Sequence, residues 1–453
     1  MDCLPRTILS RRAPRSGPAD RFMRCNFGVE TDHASIAPTQ RARFPACGSR
    51  KVPADQTLGV SDSSRQNCYS DDAKSTFSYP ERDKKLLNYA KEGNSQPVDT
   101  SYIFRNGLSR YRGVFMKVFV TGATGFIGAH LARALLDSGY RVSCLTRHKS
   151  PTGRLATLDV EHFSGSLEDA EGLRQGIRDA DIVIHLAGLT KHLSSQELLR
   201  VNGQGTANLA KACAVQTSPP VLVVVSSLAA AGPAIANRPR VETDPVGPTS
   251  AYGRSKRAGE LAAAGYAGRV PISIVRPPIV FGEGDKEMLA LYRPIRWLGV
   301  APAPGRNVRR MSMIHAADLC HGLIAVVERG ARLRPQGLES DPDSTGVYFL
   351  AEDRAPTYAE WGQLIADSLG RRRYRCVPTP EAVLWGAAGL ADAWAHIRRQ
   401  RGIFSIDKVR EATAGSWVCS SDRAKHELEF DIKASLEERF SETTRWYQRE
   451  RWI

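Results

Sequence analysis

The chain has 453 residues, of which 42% are hydrophobic and 25% charged, proportions typical of a globular protein with an ordinary core. Its formal net charge of +15 raises the question of a nucleic-acid partner. Residues 1–115 alone contain 19 Lys/Arg and 12 Asp/Glu, and the remaining excess is dispersed along the chain. No recognisable nucleic-acid-binding motif accompanies these charges, so we expect no nucleic-acid partner.

Cysteine usage and hydropathy bear on the compartment. The nine cysteines form no CxxC pair and no His/Cys grouping with zinc spacing, so we expect no metal site. An odd count favours a reducing compartment, and we predict a cytoplasmic protein. The stretch from Ala382 to Ile397 is apolar but is interrupted by Asp392 and His396, and it is too short to span a bilayer. We interpret it as a packed helix; the alternative is a surface-lying helix that makes a peripheral membrane contact.

Residues 1–115 differ from the remainder of the chain. They are rich in Arg, Ser, Pro and Asp, and their apolar residues follow no sustained period. Such a segment cannot bury enough apolar surface to offset the entropy of ordering it, so we expect a low-order basic extension. A tail, a transit segment and a mispredicted start are the three interpretations, and the folded part is expected to begin near Met116.

A strand, a glycine-rich turn and a helix follow one another after Met116. The apolar run from Lys117 to Thr121 predicts a buried strand, and apolar residues at helical spacing then continue to Ser138. Three glycines separate the two elements. A turn without Cβ atoms lets backbone N–H groups approach a pyrophosphate, and the helix N-terminus adds the positive end of its dipole. The sequence therefore predicts a phosphate-binding turn.

The segment TGATGFIG, residues 121–128, resembles the cofactor loop of the extended short-chain dehydrogenase/reductase family, also called the NAD-dependent epimerase/dehydratase superfamily. Its glycines have the spacing GxxGxxG. The resemblance implies an NAD(P)-binding Rossmann domain whose cofactor contacts six residues of this loop: Gly122, Thr124, Gly125, Phe126, Ile127 and Gly128. The likeness covers roughly residues 116–453 and is greatest to the branch of dihydroflavonol reductases and 3β-hydroxysteroid dehydrogenases.

The end of the second predicted strand indicates which dinucleotide is bound. About 20 residues past the glycine loop, an acidic residue would hold the adenosine ribose hydroxyls of NAD. This chain has Arg147 there, followed by His148 and Lys149. Because cations replace the carboxylate, a 2′-phosphate is favoured. We therefore predict NADP, with NAD as the alternative.

Apolar strands continue to alternate with helices, which predicts a doubly wound parallel sheet with its ligand crevice at the carboxyl ends of the strands. One strand ends in Ala187 and Gly188, and another in Ser226 and Ser227. The resemblance implies that Ala187, Gly188 and Ser226 lie against the cofactor. It also implies that Asn202 bonds near the cofactor ribose, with an internal structural tie as the alternative.

Tyr252 and Lys256 are one helical turn apart and share a helix face. A phenol with a pKa of about 10 is a poor base at neutral pH, and a nearby ammonium together with the oxidised nicotinamide would stabilise its phenolate. The YxxxK spacing resembles the family's catalytic pair. The resemblance implies that Tyr252 exchanges a proton with the reacting oxygen and that Lys256 also holds the nicotinamide ribose. It also implies that Ser227 hydrogen-bonds the same oxygen. The alternative is that Ser226 and Ser227 only cap a helix or a turn.

The segment RPPIVFGEG, residues 276–284, resembles the family's stretch beside the nicotinamide, and Pro278 is the residue implied to contact it. Nucleotide-sugar epimerases commonly carry an Asn here that contacts the sugar diphosphate. Pro278 and Ile279 replace it, which favours an apolar small-molecule substrate over a nucleotide sugar.

We accordingly predict an oxidoreductase that transfers hydride between NAD(P) and a secondary alcohol or ketone. Residues 116–282 would form the NAD(P)-binding domain, and residues 283–453 a smaller substrate lobe with segments returning to that domain. Two alternatives remain: a nucleotide-sugar epimerase or dehydratase that retains NAD, and a non-catalytic dinucleotide-binding subunit. A homodimer is kept open as a partner.

Overall fold

The computed structural model describes residues 116–148, 151–191, 194–235, 238–305, 308–398 and 404–453. The predictions made for residues 1–115 and for Lys149 lie outside this part. Eleven strands occur in the described residues: β1 Lys117–Thr121, β2 Arg141–Thr146, β3 Glu161–Ser164, β4 Ile182–His185, β5 Val221–Val225, β6 Ile272–Val275, β7 Ile279–Phe281, β8 Val300–Pro304, β9 Met313–His315, β10 Val347–Tyr348 and β11 Arg375–Thr379.

Helices alternate with the strands throughout. The described residues contain thirteen α-helices: α1 Phe126–Asp137, α2 Ala170–Gly176, α3 Ser195–Leu198, α4 Gly205–Ala214, α5 Leu228–Ala231, α6 Ala251–Ala264, α7 Leu289–Leu298, α8 Ala316–Arg329, α9 Tyr358–Ser368, α10 Glu381–Arg398, α11 Ile406–Thr413, α12 Asp422–Leu428 and α13 Leu436–Arg449. A π-helical segment, Leu199–Gln204, joins α3 to α4.

Seven of the strands form one parallel sheet in the order β10-β6-β5-β4-β1-β2-β3. The chain moves outward in one direction from β1 to β3 and then returns to add β4 on the other side of β1. The carboxyl ends of β1 and β4 therefore flank the point at which the strand order reverses, where doubly wound sheets bind ligands. The predicted doubly wound parallel sheet is confirmed.

The alternation of side chains along β1 shows how the sheet acquires two apolar layers. Val118 and Val120 point to one face, where they join a cluster that includes Leu131 of α1 and Leu323 of α8. Phe119 points to the other face and packs in a second cluster with residues of α2, α4 and the neighbouring strands. Because both faces are covered, the central strands are apolar throughout, as parallel strands in such sheets are.

A smaller set of elements gathers after β6. Two short parallel pairs, β7 with β9 and β8 with β11, lie beside α7, α9 and α13. Their shared core is aromatic, with Phe281 stacked on Phe440 at 4.4 Å between ring centroids and Tyr292 edge-on to Tyr447 at 5.0 Å. Strand β10 pairs instead with β6 in the large sheet. The domain division at residue 282 stays a prediction.

Capping side chains set the starts of two helices. Helix α2 begins at Ala170 because the Asp169 carboxylate accepts a hydrogen bond from Gly172 N at 2.9 Å and caps it. His315 caps α8 by accepting a hydrogen bond from Ala317 N, and Asp318 in the first turn is paired with Arg439 at 2.6 Å.

The stretch interpreted as a packed helix forms α10, but its apolar side chains are largely exposed, with Leu390 76% and Ile397 75% accessible. The packed interpretation is therefore wrong for this face. Within the described ranges, no helix combines the length and the apolar composition that a bilayer crossing requires.

A buried ion pair fastens α6 to the end of β6. Arg276 donates two hydrogen bonds to Glu260, at 2.8 and 2.7 Å, and both side chains are almost fully buried. Burial alone would raise the pKa of Glu260, but the Arg276 guanidinium outweighs it and holds that pKa below its ordinary value. The pair thus fixes the helix that carries Tyr252 against the sheet.

Arg276→Met should lower the free energy of unfolding by about 3 kcal/mol, because the buried Glu260 carboxylate loses its two-point partner and retains, among the described residues, the single hydrogen bond from Arg257 at 3.1 Å. Chemical denaturation at pH 7 measures the change. Arg174→Met is the control, since Arg174 is paired with Glu171 on the surface and its loss should change stability little. Equal stability of Arg276→Met and the parent protein would contradict this assignment.

Candidate active site

The glycine turn between β1 and α1 is shaped by close backbone approaches. Gly122 has a φ of +79°, and its carbonyl accepts a hydrogen bond from Gly125 N at 3.0 Å. A Cβ on Gly122 would lie 2.6 Å from Ala187 N, and a Cβ on Gly128 would lie 2.2 Å from Gly122 O. Neither position can carry a side chain without displacing backbone atoms, so the backbone of the turn packs directly against the residues that follow β4.

The turn delivers the start of α1 to the sheet edge. Gly125, in an extended conformation, precedes the helix, and the first backbone N–H groups of a helix have no partner inside it. Thr124, Phe126 and Ile127 are half-buried around this end. With no acidic residue in the first turn, the arrangement fits the pyrophosphate of a dinucleotide, whose charge the helix dipole would stabilise.

The end of β4 is tied to β1 through a buried histidine. His185 bonds to Thr121 Oγ1 at 2.7 Å and to Thr206 Oγ1 at 2.9 Å. Burial lowers the pKa of His185 to about 3, so it is neutral at pH 7. Ala187 N in turn donates to Thr121 Oγ1 at 3.3 Å. His185 is thus a packed core residue.

Gly188, Asn202 and Lys256 come together beyond β4. A Cβ on Gly188 would be 3.0 Å from Asn202 Oδ1 and 3.7 Å from Lys256 Nζ. Asn202 accepts a hydrogen bond from Leu189 N at 2.7 Å and donates to Leu189 O and to Ser255 Oγ, at 3.0 and 2.9 Å. These contacts are those of the structural tie named as its alternative, and contact with a cofactor ribose stays a prediction for Asn202.

Lys256 projects from α6 into the sheet edge. Its ammonium donates to Val225 O, the last residue of β5, at 2.7 Å. Burial lowers the pKa of Lys256 to about 8, against the opposing effect of the Glu260 carboxylate. The side chain is therefore charged at neutral pH and loses its proton as the pH rises through about 8.

The two hydroxyls after β5 have different surroundings. The Ser227 hydroxyl lies beside the side chain of Tyr252, whose pKa it helps to lower. It also accepts a hydrogen bond from Ala229 N at 3.1 Å, so it caps α5 as well. Ser226 is buried near the Glu260 carboxylate, but its hydroxyl has no hydrogen-bond partner within the described residues. The structure thus brings Ser227, and not Ser226, to the tyrosine.

Pro278 and Arg147 lie on opposite sides of the crevice. Pro278 is half-buried just before β7, and the carbonyl of the preceding Pro277 accepts a hydrogen bond from Leu228 N at 2.8 Å, next to Ser227. Arg147 is exposed immediately after β2, at the same carboxyl edge of the sheet as the glycine turn. A cofactor contact for either residue stays a prediction.

Helix α11 completes the surroundings of Tyr252. The Asp407 carboxylate accepts hydrogen bonds from Ala251 N at 2.8 Å and Tyr252 N at 3.1 Å, at the start of α6. The ammonium of Lys408 lies 5.5 Å from the centroid of the Tyr252 ring. Glu411 accepts from Ser250 Oγ at 2.5 Å and pairs with Lys408 at 3.3 Å.

The sequence alone did not indicate Asp407, Lys408 or Glu411 as part of the site. They are more than 150 residues from Tyr252 in the chain, and no spacing rule relates a helix to a distant helix N-terminus. Ser405, which caps α11, marks the start of a helix but gives no sign of where the helix docks.

The pKa of Tyr252 is raised from its ordinary value by burial. The Lys408 ammonium and the hydrogen bond with Ser227 oppose that rise, and Glu411 adds to it. Lys408 is thus a cation close to the Tyr252 phenol that the YxxxK motif did not indicate.

One group in the described residues has ligand atoms close enough to suggest a metal: Glu283, His315 and Glu442, within 4.8 Å. His315 Nδ1 accepts from Ala317 N, so Nε2 carries the hydrogen and faces Glu283 at 3.2 Å. Burial opposes ionisation of Glu283, but the neighbouring His315 prevails and lowers the pKa of Glu283 to about 2. Glu442 is paired with Arg439 at 2.9 Å. Each carboxylate of the group thus has a cationic or imidazole neighbour, although His315 Nε2 makes no hydrogen bond with any described residue, and we assign no metal to the group.

Known proteins resemble the chain in sequence and fold. Residues 118–337 match the NAD dependent epimerase/dehydratase family. The ceramide reductase of Caulobacter vibrioides (strain NA1000 / CB15N) is 31% identical over 345 residues, which cover 76% of this chain and 96% of the relative. The decarboxylating sterol-4-alpha-carboxylate 3-dehydrogenase of Dictyostelium discoideum is 28% identical over 259 residues, covering 54% of this chain and 74% of the relative.

A solved structure shows the same fold. The dTDP-glucose 4,6-dehydratase DesIV of Streptomyces venezuelae, with NAD and TYD bound, has a TM-score of 0.58 at 21% identity, covering 74% of this chain and 98% of that one. The sequence prediction of the family is confirmed, together with the prediction of an enzyme. The chain belongs to the NAD-dependent epimerase/dehydratase family and is an enzyme of the extended short-chain dehydrogenase/reductase type.

Proposed function

We propose that the enzyme interconverts a ketone and a secondary alcohol on an apolar, lipid-like substrate, with NADP as the preferred coenzyme. The observation that carries the proposal is the convergence of Ser227, Tyr252 and Lys256 at the carboxyl ends of β4 and β5, beside the glycine turn. The phenol of Tyr252 and the hydroxyl of Ser227 could then both contact the reacting oxygen, and the buried ammonium of Lys256 could contact the nicotinamide ribose.

The chain's own residues would move the proton. In the reduction direction, Tyr252 Oη gives its proton to the carbonyl oxygen while Ser227 Oγ donates a hydrogen bond to the same atom. Lys256 Nζ, charged below a pH of about 8, would hold the nicotinamide ribose. A bound NADPH would supply hydride to the carbonyl carbon, and NADP⁺ would accept it in the reverse reaction. In that reverse reaction the Tyr252 phenolate takes the hydroxyl proton.

The surroundings of Tyr252 support an apolar substrate. Its ring packs against an apolar cluster that includes Met311, Phe349 and Trp417, and Tyr358 packs there too. The relatives described above are named for ceramide and for a sterol carboxylate, both largely apolar molecules. The absence of the Asn typical of nucleotide-sugar epimerases, with Pro278 in its place, points the same way.

Tyr252→Phe should lower the rate of ketone reduction by about 10²–10⁴-fold, because the remaining donor to the carbonyl oxygen, the Ser227 hydroxyl, is a much weaker acid than a phenol. NADPH binding should be unchanged, since the ring and its packing remain. Absorbance at the reduced-nicotinamide band with a panel of long-chain ketones measures the first, and fluorescence titration the second. Full activity in this variant would contradict the proposed role, and a parent enzyme that oxidises no NADPH with any ketone would favour an epimerase.

Lys408→Gln and Glu411→Gln should shift the pH profile of alcohol oxidation in opposite directions. Lys408 lowers the pKa of Tyr252, so its loss raises that pKa and moves the rising limb of kcat/KM to higher pH. Glu411 raises the pKa, so its neutralisation moves the limb to lower pH. Each shift should be about half to one pH unit, because water partly screens both groups. Unmoved limbs in both variants would show that α11 does not act on the phenol.

Arg147→Ala tests the coenzyme preference. The enzyme should bind NADPH more tightly than NADH, and the variant should lose about fivefold to tenfold of NADPH affinity, as expected for one exposed cation on a phosphate. NADH affinity should stay the same, because NADH lacks the 2′-phosphate. Arg141→Ala, exposed at the opposite end of β2, is the control. Equal weakening of NADH and NADPH by Arg147→Ala would contradict the assignment.

A further inference from the structure

Helix α10 presents an apolar face to solvent. Its exposed large side chains are Val383 (57%), Leu390 (76%), Trp394 (58%) and Ile397 (75%). Their spacing of seven, four and three residues places all four on one stripe of the helix. Small exposed residues fill the gaps in that stripe: Ala382, Gly386, Ala387 and Ala393. An ordinary surface helix turns its apolar stripe inward, so α10 has the reverse orientation.

The opposite face of α10 packs against the rest of the protein. Ala388 is fully buried, and the Asp392 carboxylate accepts a hydrogen bond from Ile406 N, at the start of α11, at 3.0 Å. Glu381, at the first turn, is paired with Arg309 at 2.5 Å. A rotation that buried the apolar stripe would break both contacts and move polar groups outward. A Cβ on Gly386 would meet no atom within 4 Å, which shows how open the stripe is.

Charge indicates what the stripe contacts. Residues 371–398, from just before β11 to the end of α10, contain five arginines and two acidic residues, and the two acids are the internally engaged Glu381 and Asp392. The Arg398 guanidinium lies 4.6 Å from the centroid of the exposed Trp394 ring. Tryptophan and arginine together suit a bilayer surface, where the indole lies at headgroup depth and the guanidinium meets phosphates. A second copy of the chain would bring arginines against arginines.

We propose that α10 docks the enzyme on the surface of a bilayer that contains anionic phospholipids, with the stripe of Val383, Leu390, Trp394 and Ile397 in the acyl-headgroup boundary. Such a helix lies in the membrane plane and does not cross it. The proposal rests on the proposed function for one step only, that the substrate is a membrane lipid.

Helix α10 lies close to the candidate active site, so docking through α10 would bring Tyr252 near the membrane. Helix α10 packs on α11, and α11 carries both Asp407, bonded to the start of α6, and Lys408, over the Tyr252 ring. A single helix therefore separates the docked face from Tyr252. A lipid ketone held in the bilayer would have a short route to the proton donor.

Sedimentation of the full chain with lipid vesicles tests the docking. The parent protein should partition onto vesicles of phosphatidylcholine and phosphatidylglycerol in equal parts and much less onto phosphatidylcholine alone. The double variant Leu390→Glu/Trp394→Glu should lose about tenfold or more of this partition, because it removes apolar area and adds repulsion from the lipid phosphates. Val215→Glu is the matched control, since Val215 is 53% exposed at the end of α4, outside the stripe, and its partition should not change.

A parallel assay with a short water-soluble ketone separates this proposal from the proposed function. Because both mutated side chains are exposed, ketone reduction in the double variant should stay within about twofold of the parent, which also shows that it folds. If the parent and both variants reduced no ketone while the parent still bound the vesicles, the proposed function would be wrong and the docking proposal would be unaffected. Equal partition of the parent and the double variant, no partition at all, or a parent homodimer that the double variant dissociates would each overturn the docking.

Discussion

The close backbone contact between the glycine turn and the end of β4 is the constraint on which the site depends. Gly122 lies so near Ala187 that a Cβ would come within 2.6 Å of its amide nitrogen, and Gly128 lies as tightly against Gly122. This contact sets the start of α1 over the point where the strand order reverses, and it opens the carboxyl edge of the sheet to a dinucleotide. Helix α6 runs past that same edge, and it thereby places Tyr252 and Lys256 where they could act on a bound dinucleotide and its substrate.

The second half of the chain contributes more than a wall to the candidate active site. Through Asp407, helix α11 holds the first turn of α6, and through Lys408 it sets a cation over the Tyr252 ring. Helix α10, fastened to the start of α11 by Asp392, turns its apolar side outward. The proposed membrane docking, the placement of Tyr252 and the charge around its phenol therefore depend on one pair of adjacent helices.

What could be predicted from the sequence was local or shared with a family. The parallel sheet followed from apolar runs alternating with helices, and the glycine turn from its position between a strand and a helix. The proximity of Ser227 and Tyr252 followed only from the family resemblance. Lys408 and Glu411 could not be predicted, because their contacts join helices far apart in the chain. The exposure of α10 was missed because periodicity locates an apolar face but does not show whether protein or solvent covers it.

In the proposed reaction, hydride passes from NADPH to a substrate carbonyl at the Tyr252 site. Incubation with NADPH that carries deuterium at the transferable C4 position, followed by mass spectrometry of the product, tests this transfer. We expect an alcohol with one deuterium on the carbinol carbon and an equal amount of NADP⁺ released. An unlabelled product, or one formed with no accumulation of NADP⁺, would contradict it and would assign the enzyme to the members of its family that retain their coenzyme.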